Sequence, residues 1–527
     1  MMSDNRVDAV LIGSGINSLV CALILQSKGW KVHIVEQSSV PGGAVKTGEY
    51  TAKGYRHDWA AMNLSLFAGS PFFAQYGSAL LGHGLDLVPV KHCFASVFPD
   101  GKWLGISQDV SLNTERIQSF SHKDAQEWQS LTKQFSVNAP VMVRFLQSPF
   151  RWRTMCSNVW QTYREIKLSG ALKLLRLMLS SPREWLDDHF ESEHVKSTLA
   201  AWGMHLDFAP DIAGGAIFPY LESFANQSFG MVIGKGGADT ITNAMVNKIR
   251  EAGGIVECGT RVEEILNEKG KAVGVRLEDG RTISANKAVI ANVSPSALSH
   301  MLERFKQEGK QQKLEEEVQA YRAFKHAPGT MMIHLALEAL PNWTASQELQ
   351  KFAYVHIAPS MNQMAKTYQQ ALSGELPEEP VIVVGQPTSA DPTRAPENKH
   401  TLWLQVRMLP SEAQLQEQDK TWQTLADSYS ERVLDIVERY APGLRKNIVS
   451  THVVSPAELE KDNPNLVGGD QLCGSHHLNQ NFWFRPILGR SDGTTSVSSL
   501  YHTGAAVWPG AGTGAGAGFL LAKKLTE

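Results

Sequence analysis

The residues best placed to do chemistry in this 527-residue chain are glycines at its two ends. Near the start, Gly13-Ser14-Gly15-Ile16-Asn17-Ser18 joins an apolar run, Val7 to Ile12, to a stretch of helical spacing from Ile16 to Lys28 that stops at Gly29. Near the end, Gly510, Gly512, Gly514, Gly516 and Gly518 alternate with small residues and lead into "GFLLAKKL". A glycine lets backbone approach a ligand that a Cβ would hold off, and the free amides that open a helix attract anions. At the first turn that anion is a pyrophosphate. Glu36 ends a second apolar strand, Lys31 to Val35. It lies about twenty residues beyond the turn, where a carboxylate accepts hydrogen bonds from a ribose 2′-hydroxyl. Ser18 stands where the fingerprint has its third glycine and is small enough for close helix–strand packing. Strand, turn, helix, strand and acid together predict a dinucleotide site on a βαβ unit.

A second glycine pair, Gly42-Gly43, follows Glu36 after a short loop. This order resembles the large flavoprotein group that contains phytoene desaturases and amine oxidases, where the pair lies along the flavin and diphosphate. The resemblance implies non-covalent FAD, contacted by Glu36, Gln37, Gly42, Gly43, Ala44 and Val45 as well as by the first turn. The tail fits the same scheme. Only residues 519–527 follow Gly518, too few for a second βαβ unit. "SSLYHTGAAV" reads as a strand and "GFLLAKKL" as a helix ending in lysines, as its dipole favours. In that group the terminal strand–glycine–helix unit returns to the N-terminal domain. Gly504, Ala505, Pro509, Gly510, Gly512, Thr513 and Gly514 would then line the isoalloxazine. Mid-chain, a glycine turn (234–237) leads to a helix from about Asp239 to Glu251, a strand over Ile255–Cys258, a hairpin turning at "EDGR", and a further buried strand "KAVIAN". By resemblance the Val262 backbone contacts adenine, and Ala291-Asn292 end beside the dinucleotide. The implied fold is α/β: a discontinuous Rossmann-like FAD-binding domain (1–90, 228–296 and 490–527) with an inserted α+β substrate domain (91–227 and 297–489).

Long colinear stretches, among them 181–203, 391–405, 432–460 and 484–487, resemble phytoene-desaturase-related oxidoreductases, including carotene ketolases. The departures fall where substrate would lie. A Thr-His pair common before the last Pro-Gly is Val507-Trp508; an Asp-Gln is Asn479-Gln480, preceded by His476-His477; a strand lysine is Met332, with His334 on the same side two residues on. His476, His477, Trp508 and His334 are therefore the catalytic candidates, the histidines as bases or orienting groups and Trp508 as a substrate wall. The competing readings are hydrogen-bonded loop histidines and a remote core tryptophan. Asp58, in "RHD", is expected to fix a local backbone turn. Cys473 lies at a separation from Thr503 at which some amine oxidases attach flavin, but a buried free thiol is the default.

Composition bounds the rest. A 43% hydrophobic and 20% charged chain folds around a large core, and a net charge of −3 gives no case for a nucleic-acid partner. Five scattered cysteines without a CxxC pair argue against disulfides and a metal site. The first residues lack the pattern of a secretory or transit leader, and no run reads as a membrane span. The expected location is cytoplasmic. The basic amphipathic stretch 164–185 is a candidate for peripheral membrane contact, against a plain substrate-domain helix. The implied reaction is hydride removal from a C–C or C–N bond of a largely apolar small molecule, with oxygen or a quinone as acceptor. A redox-neutral isomerase or a ketolase on the same scaffold is the alternative, and a non-redox escort protein sharing the fold is an alternative of another class.

Overall fold

The apolar run that opens the chain is a strand, Arg6–Ile12, at the heart of a seven-stranded sheet. The structure, a computed structural model, describes residues 6–305 and 311–527; the leader-free reading of residues 1–5 lies outside them. Across this sheet the order is Val262–Glu268, Lys271–Leu277, Thr282–Ala291, Arg6–Ile12, Val32–Val35, Ile255–Glu257, with Leu500–His502 added beside Thr282–Ala291. Ile12 pairs with both Val35 and Ala291, and Ala291 with His502, all in parallel. Four strands drawn from both ends and the middle of the chain thus finish level, and the crevice beyond such carboxyl ends is where α/β sheets bind ligands. The helix Ile16–Ser27 is buried from Ile16 through Leu25, because the helices Thr240–Glu251 and Gly516–Thr526 pack on it as well as the sheet.

A second seven-stranded sheet runs in the order Ile448–Val454, Gly329–Leu337, His400–Leu409, Val381–Gly385, Tyr354–Ile357, His92–Val97, Trp103–Ser107. Its faces are set by alternation along His400–Leu409. Leu402, Leu404 and Val406 enter a core covered by the helix Trp422–Tyr440, whereas Trp403, Gln405 and Arg407 point the other way. On that side lie the helices His122–Leu146, Glu193–Met204 and Ile217–Phe229.

Four local expectations change. The "EDGR" hairpin strand and "KAVIAN" are one strand, Thr282–Ala291, whose first half pairs antiparallel and whose second half takes Leu500–His502. The terminal strand is only those three residues, because at Gly504 (φ 115°) the chain turns away from the sheet. The stretch 164–185 is not one helix: Trp152–Leu179 is interrupted at Lys167 (φ 58°), and Pro182–His189 starts anew behind a Ser181–Glu184 capping box. Asp58 does more than fix a local turn. It accepts from Thr47 Oγ1 (2.8 Å) and the Ala238 amide (2.7 Å) and pairs with buried Arg394, which also binds Asp391 and the Gly234 carbonyl.

Candidate active site

A cavity of about 1300 Å³ runs from the level strand ends to the buried Trp403–Gln405–Arg407 face of the second sheet. At the nucleotide end the geometry follows from the glycines. Gly13 (φ 86°) turns the chain so that Gly15 opens the first helix without a side-chain cap, leaving the leading amides free for an anion. Glu36 is held rigidly: Ser14 donates to Oε2 through both its amide and its hydroxyl (each 2.8 Å), and the Ser38 amide donates to Oε1 (2.8 Å). A carboxyl group so held keeps acceptor lone pairs for a ribose hydroxyl. The Gly42 amide donates to Ser14 Oγ (3.2 Å), tying the glycine pair to the first turn.

Asn292 brings the two chain ends into register. A Cβ on Gly13 would lie 2.9 Å from its carbonyl oxygen, one on Gly15 2.9 Å from Nδ2, and one on Gly504 2.4 Å from Oδ1. The second end-to-end contact is Asn17, whose Oδ1 accepts from the Gly518 amide (3.0 Å). Thr513 Oγ1 donates to the Asn63 carbonyl (3.2 Å), seating the terminal glycine segment on the loop after the Gly-Gly pair.

Of the nucleotide residues expected from sequence, Gly13, Gly15, Ile16, Asn17, Glu36 and Gln37 line the cavity, as do Gly42, Gly43, Ala44, Val45, Val262, Asn292, Ala505, Gly512 and Thr513. Ser14, Ser18, Ala291, Gly504, Pro509, Gly510 and Gly514 are not on its wall. Neither are His476, His477, Trp508 and His334. Each of these four has a packing reason to be elsewhere. His476 Nε2 accepts from the Ala511 amide (3.2 Å) behind the glycine segment; burial, with Arg485 beside it, holds the ring well below the usual histidine range. His477 is turned to the Asp207 carbonyl (3.0 Å). The Trp508 indole donates to the Ser148 carbonyl (3.1 Å) and packs on Phe150. His334 does share a sheet face with Trp403, its cross-strand partner, but Tyr50, His57 and Trp59 cover it, and burial keeps it neutral.

The opposite end of the cavity is built from residues that sequence reasoning missed. Its floor is Tyr354, Trp403, Gln405 and Arg407; its walls include Trp202, Leu221 and Glu222. Arg407 donates to the Met204 and His205 carbonyls at the end of a helix, to Thr330 Oγ1 and to Gln471 Oε1; burial lowers it to about 10, so it stays charged. Glu222 has no cation among the described residues, only Asn226 Nδ2 at 3.5 Å, and burial pushes its carboxyl up to about 7. The signal for Glu222 was an acid on the Leu221–Ala225 side of an apolar helix, "IFPYLESFANQSF". Cys473 also reaches the cavity, but burial pushes its thiol up to about 12, so it is no thiolate.

The uncapped end of the first helix, the Glu36 carboxylate and the backbone at residues 505 and 512–513 all line the one cavity, a donor, acceptor and glycine-flanked surface suited to a diphosphate, a ribose and a planar ring. The profile of the flavin containing amine oxidoreductase family matches residues 19–418. The chain is 26% identical to pyridine nucleotide-disulfide oxidoreductase domain-containing protein 2 of Rattus norvegicus, over 97% of this chain and 92% of the relative. It is 26% identical to a phytoene desaturase (neurosporene-forming) of Rhodobacter capsulatus, over 98% and 94%. In fold it is similar to an oxidoreductase from Methanosarcina mazei, with a TM-score of 0.60 and 17% identity over 99% of this chain and 100% of that one.

Proposed function

Because the chain belongs to the flavin-containing amine oxidoreductase family, and is therefore an FAD-dependent oxidoreductase, we propose that it dehydrogenates a C–C bond of a largely apolar small molecule. The observation that carries this reading is the continuity of the cavity: the groove that suits FAD opens directly onto the Tyr354–Trp403 floor. Full-length similarity to proteins named phytoene desaturase favours a C–C over a C–N bond. Bound FAD supplies a two-electron hydride acceptor. The chain's own contribution is to bind and align. Glu36 would accept from the ribose, the first helix's amides would hold the diphosphate, and the aromatic floor would position the substrate C–H bond against the ring.

The FAD is held without a covalent bond, consistent with the protonated Cys473. The FAD-binding domain is discontinuous (1–90, 228–296 and 490–527), the substrate domain is inserted in it, and oxygen or a quinone reoxidises the flavin. Peripheral membrane contact would use the interrupted helix 152–179. There Trp152, Trp160, Leu168, Leu172 and Leu175 are exposed near Arg153, Arg164 and Lys173, and no helix among the described residues is long and apolar enough to cross a membrane. Anaerobic mixing of the yellow holoenzyme with phytoene in phosphatidylcholine vesicles tests the reading. Bleaching of the flavin with a product holding one more double bond supports it. An unbleached flavin, or substrate isomerised without net reduction of the flavin, rejects it.

A further inference from the structure

Arg485 is completely buried and makes no ion pair among the described residues. Its Nη1 donates to the Ser475 carbonyl (2.7 Å) and its Nη2 to the carbonyls of Ala505 (2.9 Å) and Gly474 (3.3 Å). Nε has no partner and faces Gly510, where a Cβ would stand 3.3 Å away. Two buried acids, Asp470 and Asp207, act on it through their field, but neither makes an ion pair with it. Asp470 accepts from the amides of Ala327, Leu472 and Gly474. Asp207 accepts from the Ser475 hydroxyl and the His476 amide, and burial pushes it up to about 6, which leaves it only partly a counter-charge near that pH. Burial lowers Arg485 itself only to about 10, so the guanidinium is charged at neutral pH. Burying a charge without a bonded opposite charge is costly and calls for an explanation beyond packing.

The position of the charge supplies it. Leu472, Cys473, Ala505 and Ala511 line the cavity, and Arg485 grips the backbone at 474–475 and 505 directly behind them. We propose that Arg485 is a fixed cation one backbone layer behind the flavin ring, stabilising the negative charge that reduction places on its pyrimidine edge. This rests on the reading that residues 505–513 face the isoalloxazine. In a water-poor site such a preorganised charge acts strongly and without reorganisation. His476, neutral and accepting from the Ala511 amide, completes the layer without adding charge.

Sulfite and redox titration test this without any substrate, so a failed phytoene trial does not bear on it. Sulfite adds to oxidised flavin at N5; its lone pair forms the N–S bond and the displaced ring electrons rest on the N1–C2 carbonyl region, the charge Arg485 would stabilise. Wild-type holoenzyme should bind sulfite more tightly, and reduce at a higher potential, than free FAD. Arg485→Gln should weaken sulfite binding at least tenfold and disfavour reduction by a similar factor, about 30 mV for a two-electron couple. Arg485→Lys should restore most of both, with FAD affinity changed less than threefold in either variant. A merely structural arginine would lower flavin retention and leave the sulfite constant of the remaining holoenzyme unmoved, and that result overturns the proposal. If Arg485→Gln does not retain flavin, the wild type decides: sulfite binding no tighter than to free FAD ends it.

Discussion

Two arginines of this protein, Arg394 and Arg485, are shut off from solvent entirely, and they are compensated in opposite ways. Arg394 lies against two carboxylates, Asp58 and Asp391, and through them joins the segment after the glycine pair, the Gly234–Asp239 turn and the loop before the strand His400–Leu409. The hydrogen bonds of Arg485 go to carbonyl oxygens, its guanidinium lies over the Phe324 ring, and no carboxylate pairs with it, beside a cavity that suits a cofactor which gains negative charge. The pair of carboxylates suits Arg394 to architecture; the missing carboxylate leaves Arg485 free to answer a charge that arrives with chemistry. Substituting each should therefore damage different properties.

The largest effect is expected at the paired site. Arg394→Met strands the Asp58 and Asp391 carboxylates in the core, and breaking a buried pair in this way costs about 3–5 kcal/mol. Urea unfolding of the holoenzyme should show that loss as a lowered midpoint, while the sulfite constant of the protein that remains folded stays at the wild-type value. Arg485→Gln should show the reverse pattern. If both variants lose stability and neither moves the flavin's electronics, the distinction between the two arginines collapses.

A smaller effect sharpens the comparison where the two chain ends meet behind the cavity. Gly504 has φ 115°, and a Cβ there would stand 2.4 Å from Asn292 Oδ1. Gly504→Ala should cost about 2–3 kcal/mol in strain, read as roughly hundredfold weaker FAD binding. Adding Asn292→Gly removes the clash but not the strained φ, so affinity should recover in part. Equal FAD affinity in the single and double variants would show that Asn292 does not set the spacing between the chain ends.

These sites differ in how much of them can be read from sequence. Gly13, Gly15, Glu36, Gly42 and Gly43 answer local demands, a turn, a close approach or a strand end, and such demands leave a pattern within a few residues. The meeting of Gly504 with Asn292 is visible only through the parallel pairing of Ala291 with His502. His334 shows the limit of periodicity: alternation gives its side of the strand, but only the packing of Tyr50 and Trp59 tells that it is covered. Arg485 and Glu222 escape local reading altogether. The first is defined by carbonyls at 474, 475 and 505, the second by the lack of a paired cation among the described residues.

Glu222 is the acidic counterpart of Arg485, an unpaired charge on the substrate side of the same cavity, and its expected effect is the smallest. Its ordinary value of 4.5 is raised to about 7 by burial, so the folded protein keeps the proton that the unfolded chain has already released. Protonated Glu222 costs nothing below 4.5; as pH rises from 4.5 to about 7 the unfolded state ionises first and is favoured, and above 7 the penalty is complete. Glu222→Gln removes the titration. Its stability relative to wild type should therefore grow between these limits by about 1–3 kcal/mol and then level off. Urea midpoints at pH 4.5, 6 and 8 for the two proteins measure the gap directly. Parallel curves would mean that the carboxyl is solvated or paired. The contrast with Arg485 would then rest on the arginine alone, because burial lowers that guanidinium but leaves it charged through the whole interval.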